Sequence, residues 1–289
     1  MPRPPADPAP DPPGFVVLVE PGERIHFLDW GGSGDPGIVL VHGLAASGWT
    51  WAPVARRLIA RRRTVALDLR GHGLSDAPTE PDAYGLDLLG SDVVAVAEGS
   101  GILAESADRV VLAGHGFGAI VVAAAAAQLG PRCARLVLVD GGLDEIETVS
   151  GVDADEFLRG MEEPPEVMAS MRAYLADRRS WDPATWDPDQ DRAARAAVVE
   201  TPAGRLLQAT RPHALEAAVR TMFRYRPEEV LARVEAPTVA IRRLTPGDEG
   251  AQASGTPVPP GVDVIEIPAV GHNLPRYRPD EVTAAILGR

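Results

Sequence analysis

The residues of this chain best suited to chemistry lie in four short stretches. Val41-His42-Gly43-Leu44 closes an apolar run, and a turn there can aim the Leu44 backbone N–H at a developing negative charge. Asp68-Leu69-Arg70-Gly71-His72-Gly73-Leu74-Ser75-Asp76 has the polar side chains and glycines of a tight hydrogen-bonded loop, so His72 and Ser75 read as loop ties, not as a base and a nucleophile. In Gly114-His115-Gly116-Phe117-Gly118 small residues let a strand and a helix approach closely. The Phe117 N–H opens that helix, where an anion is favoured, and His115 packs beneath the corner. In Ala269-Val270-Gly271-His272-Asn273-Leu274-Pro275, a glycine-preceded loop carries His272, a candidate general base.

Such a base needs an acid to orient it. Asp248, in the loop after the apolar run Pro237–Arg242, is the first choice and Glu249 its rival. Asp140, at the end of Leu136-Val137-Leu138-Val139-Asp140, is a third candidate, an acid displaced to the preceding strand.

The elements that must position these groups are short apolar runs alternating with helical patterns. That alternation predicts βαβ units and a mainly parallel sheet. Strands are expected at Phe15–Val19, Ile25–Trp30, Gly37–His42, Thr64–Leu69, Arg109–Ala113, Ala134–Asp140, Pro237–Arg242 and Val262–Ile267. Helices are expected at Thr50–Ala60, Leu86–Ser100, Phe117–Leu129 and Pro279–Leu287. Between residues 142 and 226 the alternation gives way to a helical insertion with a repeated Trp-Asp-Pro, at Trp181 and Trp186. Trp181, Trp186 and Met222 are its candidate substrate-binding residues, as a lid over an apolar pocket; ordinary helix packing is the other reading of each.

Composition excludes several function classes. A net charge of −13 over 289 residues repels phosphate backbones, so no nucleic-acid partner is expected. The single cysteine, Cys133, reads as a core thiol and rules out an internal disulfide or a cysteine-rich metal site; no metal or cofactor is expected. Residues 1–14 hold seven prolines and no apolar core, and read as a disordered arm, not a signal peptide. No apolar run approaches the roughly 18 residues of a membrane span, so the expectation is a cytoplasmic protein with no membrane partner and an open oligomeric state.

In combination and order, the His-Gly loop, the DLRGHGLSD loop, the GHxxG corner and the GHN histidine resemble the α/β-hydrolase superfamily. The resemblance covers about residues 15–289. It implies a mostly parallel, doubly wound α/β-hydrolase sheet formed by residues 15–141 and 227–289, with residues 142–226 as a helical cap. It also implies a nucleophile elbow at Gly114–Gly118, oxyanion donors at Leu44 and Phe117, and His272 as base. One departure matters for mechanism. Where the family usually carries serine this chain has Gly116, which has no side chain, so the nucleophile position is vacant and no acyl-enzyme can form there.

Three explanations follow. His272 could act directly on water or on a substrate proton, with Ser47 or Thr50 as weaker substitute nucleophiles. The chain could be a non-catalytic homologue binding a small apolar ligand or a protein partner. Or a serine could have been replaced recently. The expectation is an enzyme with impaired or non-standard chemistry on a small apolar ester or carbonyl compound.

Overall fold

The computed structural model describes residues 10–104, 108–162, 166–244, 258–269 and 271–289. Among the described residues ten strands form: β1 (Gly14–Val19), β2 (Glu23–Gly31), β3 (Gly37–Val41), β4 (Thr64–Leu67), β5 (Val110–His115), β6 (Cys133–Val139), β7 (Val198–Glu200), β8 (Leu206–Gln208), β9 (Thr238–Leu244) and β10 (Val262–Pro268). Eight of them make one sheet in the order β1-β2-β4-β3-β5-β6-β9-β10. The β1–β2 and β2–β4 pairings are antiparallel and the others parallel.

The central strands are apolar along their whole length because helices cover both faces. Every residue of β3, β4 and β5 is buried. One face packs on α2 (Leu86–Gly99) and α3 (Phe117–Leu129), the other on α1 (Ala52–Leu58) and α11 (Pro279–Leu287). Ala-rich α3 has no polar face because it is buried almost throughout, which lets it lie close to β5 and β6. The predicted helix Thr50–Ala60 divides into a 3-10 turn, Gly48–Trp51, and α1, which carries Pro53 in its first turn.

The inserted segment holds α4 (Ile146–Ser150), α5 (Ala154–Gly160), α6 (Met171–Trp181), α7 (Pro188–Ala196) and α8 (Pro212–Arg224). It is not wholly helical: β7 and β8 form an antiparallel hairpin between α7 and α8. After it come α9 (Pro227–Leu231) and, behind β10, α10 (Leu274–Tyr277). The Pro13 carbonyl accepts from the Asp29 N–H at 2.9 Å, and Asp11 pairs with Arg192 of α7. Among the described residues, no helix is long and apolar enough to cross a membrane.

Candidate active site

Parallel strands deliver their carboxyl ends to one edge of the sheet, and loops after β3, β5, β6 and β10 meet there. At the end of β5 the chain turns sharply into α3. Gly116 forms that corner with φ +55° and ψ −117°, a region disfavoured for residues with a Cβ. The corner is packed on backbone. A Cβ on Gly114 would lie 2.2 Å from the Gly118 oxygen, one on Gly118 2.4 Å from the His42 oxygen, and one on Gly141 2.5 Å from the Gly116 oxygen. At Gly116 the nearest atom to a Cβ would instead be His272 Nε2, at 3.0 Å, with the Gly43 Cα at 3.8 Å. Corner, histidine and β3 loop therefore converge on one point.

His272 is tied at its other nitrogen. Its Nδ1–H donates to Asp140 Oδ2 at 2.6 Å, which fixes the tautomer and leaves the Nε2 lone pair facing Gly116. Asp140 follows β6 with a positive φ of 46°. It also accepts from the Arg243 N–H at 3.1 Å and the Arg243 Nε–H at 3.4 Å. Burial alone would raise its pKa; the hydrogen bond and charge of His272, with Arg243, overcome that and hold the carboxyl below the usual range. Among the described residues the acid that bonds to His272 is Asp140, the third candidate; the first choice Asp248 and its rival Glu249 lie outside the described residues. Asp140 can serve because β6 and β9 are adjacent and parallel, so both end beside the His272 loop.

The histidines around this pair are neutral props. His115 Nε2–H donates to the His272 carbonyl at 2.9 Å and ties the loop of the base to the corner. Burial, aided by the neighbouring His272 charge, pushes its pKa down to about 3. His42 accepts from the Leu69 N–H at 3.0 Å through Nε2 and donates through Nδ1–H to the Gly43 carbonyl at 2.7 Å. The Gly43 carbonyl and the Leu44 N–H share a planar trans peptide, so holding one sets the direction of the other. Phe117 is handled likewise: the Gly116 carbonyl accepts from the Ala119 N–H at 3.1 Å, and the Phe117 N–H, at the first position of α3, has no acceptor within its own helix.

The DLRGHGLSD loop supports the β3 loop from below. Buried Asp68 accepts from His26 Nδ1–H at 2.8 Å and from the Gly48 and Leu74 N–H groups at 2.7 and 3.0 Å. Ser75 Oγ–H donates to the Asp68 carbonyl at 2.6 Å, and His72 Nδ1–H to the Arg70 carbonyl at 3.1 Å. Both are loop ties, away from the corner.

Beside the corner a cavity of about 340 Å³ opens between the inserted helices and the β3 loop. Leu44, Thr50, Trp181, Trp186, Asn273 and Arg276 are among its walls. Met222 is not: it is 5 % exposed and packs in the core with Ala218 and Tyr225, because α8 turns that face toward the sheet. Ser47 is buried, while Thr50 stands on the cavity wall. The His272 side chain is 58 % exposed, so the corner is open to solvent. Arg276 and Asn273 were not singled out from sequence; their proximity to His272 in the chain was the available signal. Among the described residues no cluster of histidine, cysteine and acidic side chains could hold a metal.

Fold and residue placement together define a class of α/β proteins that keep their reacting groups at the strand carboxyl ends. The chain belongs to the alpha/beta hydrolase family, whose model matches residues 38–285. It is 41% identical over 119 residues to N-formylmaleamate deformylase of Pseudomonas putida, covering 41% of this chain and 42% of that one. It is 34% identical over 107 residues to epoxide hydrolase 4 of Mus musculus, covering 37% of this chain and 28% of that one. The matched stretches thus span less than half of these relatives. Among solved structures, E-2-(acetamidomethylene)succinate hydrolase superposes with a TM-score of 0.76 at 21% identity, over 96% of this chain and 98% of that one. The likeness of that structure is one of fold.

Proposed function

We propose that this protein hydrolyses a small carbonyl compound, an ester or amide, by direct attack of water, without a covalent intermediate. The observation that carries the reading is His272 Nε2 standing 3.0 Å from the Cβ position of Gly116, with its other nitrogen held by Asp140. Residue 116 puts no side chain in front of the His272 lone pair, and the ring is open to solvent. A water there gives its proton to His272 Nε2 while its oxygen attacks the carbonyl carbon. The resulting oxyanion is received by the N–H groups of Leu44 and Phe117. His272 then passes the proton to the leaving nitrogen or oxygen as the bond to carbon breaks. In this reading Gly114–Gly118 is a nucleophile elbow without a nucleophile, and residues 142–226 cap the site. The relatives, a deformylase and hydrolases, favour hydrolysis over isomerisation.

One observation favours a second reading, a ligand binder. His272 does not line the cavity and is largely exposed, so water is poorly excluded from the base. The test is hydrolysis of an activated short-chain ester and amide, followed by mass spectrometry for acyl-protein. The reading expects His272-dependent turnover by the unaltered protein with no acyl adduct, and an adduct only in Gly116→Ser. Turnover unaffected by His272→Ala, or an acyl adduct on the unaltered protein, would overturn it. Absence of turnover together with ligand binding in the cavity would favour the binder.

A further inference from the structure

Arg276 is a guanidinium on the cavity wall that no described carboxylate pairs with directly; the Asp182 carboxylate reaches it only through the Thr185 hydroxyl, which donates to Asp182 Oδ2 at 3.0 Å. It stands on α10, four positions after His272, and is half-buried. Its Nε–H donates to Thr185 Oγ1 at 2.7 Å and an Nη2–H to the Asp182 carbonyl at 2.8 Å. Both acceptors are neutral. Among the described residues no carboxylate lies within ion-pair distance of it. The group packs against the rings of Trp186 and Tyr277, at 5.8 and 5.2 Å from their centroids, which fixes the plane of the fork. Two of its five N–H groups are engaged in the bonds named above, and the guanidinium lines the cavity.

A second cation lines the same wall. Arg178 is a second guanidinium on the cavity, stacked 4.2 Å from the Trp181 ring and paired with Asp177 at 3.3 Å. In a chain of net charge −13 the average surface repels anions, so a cavity wall that carries a guanidinium without a direct carboxylate partner runs against the background.

We infer that the cavity holds a free carboxylate of the substrate on Arg276, so that the compound hydrolysed is an ester or amide that also carries an acid group. This departs from the expectation of a small apolar ester or carbonyl compound. It rests on the proposed hydrolysis for the word substrate, but not for the binding. The guanidinium fork takes the carboxylate with two parallel hydrogen bonds, which orients the compound along the cavity with its carbonyl toward the Leu44 wall. A cavity of about 340 Å³ suits a short acid of this kind.

The alternative is that Arg276 is only a strut, tying α10 to the insertion through Asp182 and Thr185. Calorimetric titration at fixed ionic strength separates the two, with glutarate and its neutral dimethyl ester as probes. The proposal expects glutarate to bind and the dimethyl ester to bind at least tenfold more weakly. It expects Arg276→Gln to lose glutarate binding at least tenfold, and Arg276→Lys to retain part of it. Equal binding of the two probes, no binding of glutarate, or a folded Arg276→Gln that binds glutarate unchanged would overturn it. The comparison of probes on the unaltered protein decides the matter even if Arg276→Gln does not fold. Hydrolysis of a nitrophenyl half-ester of glutarate is then measured separately. Arg276-dependent glutarate binding without hydrolysis would sink the proposed function and leave this inference standing. Hydrolysis of a neutral ester without glutarate binding would do the reverse.

Discussion

Asp140 and His272 are 132 residues apart in the chain and 2.6 Å apart in space, carboxylate Oδ2 to ring Nδ1. That contact distinguishes the ring from an ordinary surface histidine. The His115 ring packs against it at 4.5 Å, but the hydrogen bond to Asp140 is what sets its tautomer. Asp140→Asn should remove the charge and let the ring take the wrong tautomer. Its effect is best read in the Gly116→Ser background, where ester hydrolysis has a nucleophile. We expect a loss on the order of 10⁴-fold in kcat with the fold retained by circular dichroism. A loss under tenfold would mean that the acid lies elsewhere.

Gly116→Ser should add chemistry and subtract stability. The new Cβ would meet His272 Nε2 at 3.0 Å and sit at φ +55°. The histidine is an exposed side chain and can yield by a few tenths of an ångström, so the cost is mainly backbone strain, roughly 1–3 kcal/mol. A lowered Tm with acquired esterase activity is the expected pair. A raised Tm would show that the corner is not strained.

Gly141→Ala should be worse than Gly116→Ala, although neither adds a polar atom. At Gly141 the obstacle is backbone: the Gly116 oxygen at 2.5 Å and its Cα at 2.8 Å. The corner itself must move. Denaturant unfolding should show a larger loss for Gly141→Ala, and turnover in the Gly116→Ser background should fall with it. Equal losses would mean that β6 can retreat from the corner freely.

Met222→Ala and Trp181→Ala should separate packing from binding. Met222 is buried against the core and its truncation should cost about 2–5 kcal/mol. Trp181 is 66 % exposed, and its loss should change stability by about 0.5 kcal/mol or less while weakening whatever fills the cavity. Paired unfolding and glutarate-binding measurements check both.

Acid should unfold the protein through its buried histidines before its carboxylates. His115 and His72 both have pKa values pushed from 6.5 down to about 3, chiefly by burial. The unfolded chain therefore takes up their protons below about pH 6.5 while the folded one refuses them until about pH 3. Stability should fall across that window by about 1.4 kcal/mol per pH unit for each histidine. Asp140 acts lower: its depressed folded pKa stabilises in full above its ordinary 3.8, and that share is lost as pH falls through the folded value. Urea unfolding at several pH values should show the slope already between pH 6 and 5, and His115→Gln should flatten it. A flat profile above pH 4 would refute the burial argument.

The sequence by itself determined the sheet, the turn at Gly116 and the loop that carries His272. Each is written in neighbouring residues: an apolar run buried on both faces, glycines where backbones touch, a helix start after them. The tying roles of His72 and Ser75 were legible for the same reason, since the carbonyls they hold, of Arg70 and Asp68, lie in the same loop. The partner of His272 was not. Asp140, Asp248 and Glu249 are all acids after a strand, and only the side-by-side placement of β6 and β9 brings Asp140 within 2.6 Å of the ring. Met222 looked like Trp181 because both are large and apolar in one insertion; the rotation of α8 sent Met222 into the core. Arg276 looked like any surface arginine of an acidic chain. Its importance comes from what the insertion leaves around it, two neutral acceptors, two rings and a cavity. Short-range pattern fixes elements because the forces behind it act between neighbours in sequence. Which side chains meet across 100 residues is decided by how the finished elements pack, and the chemistry of this site depends on those meetings.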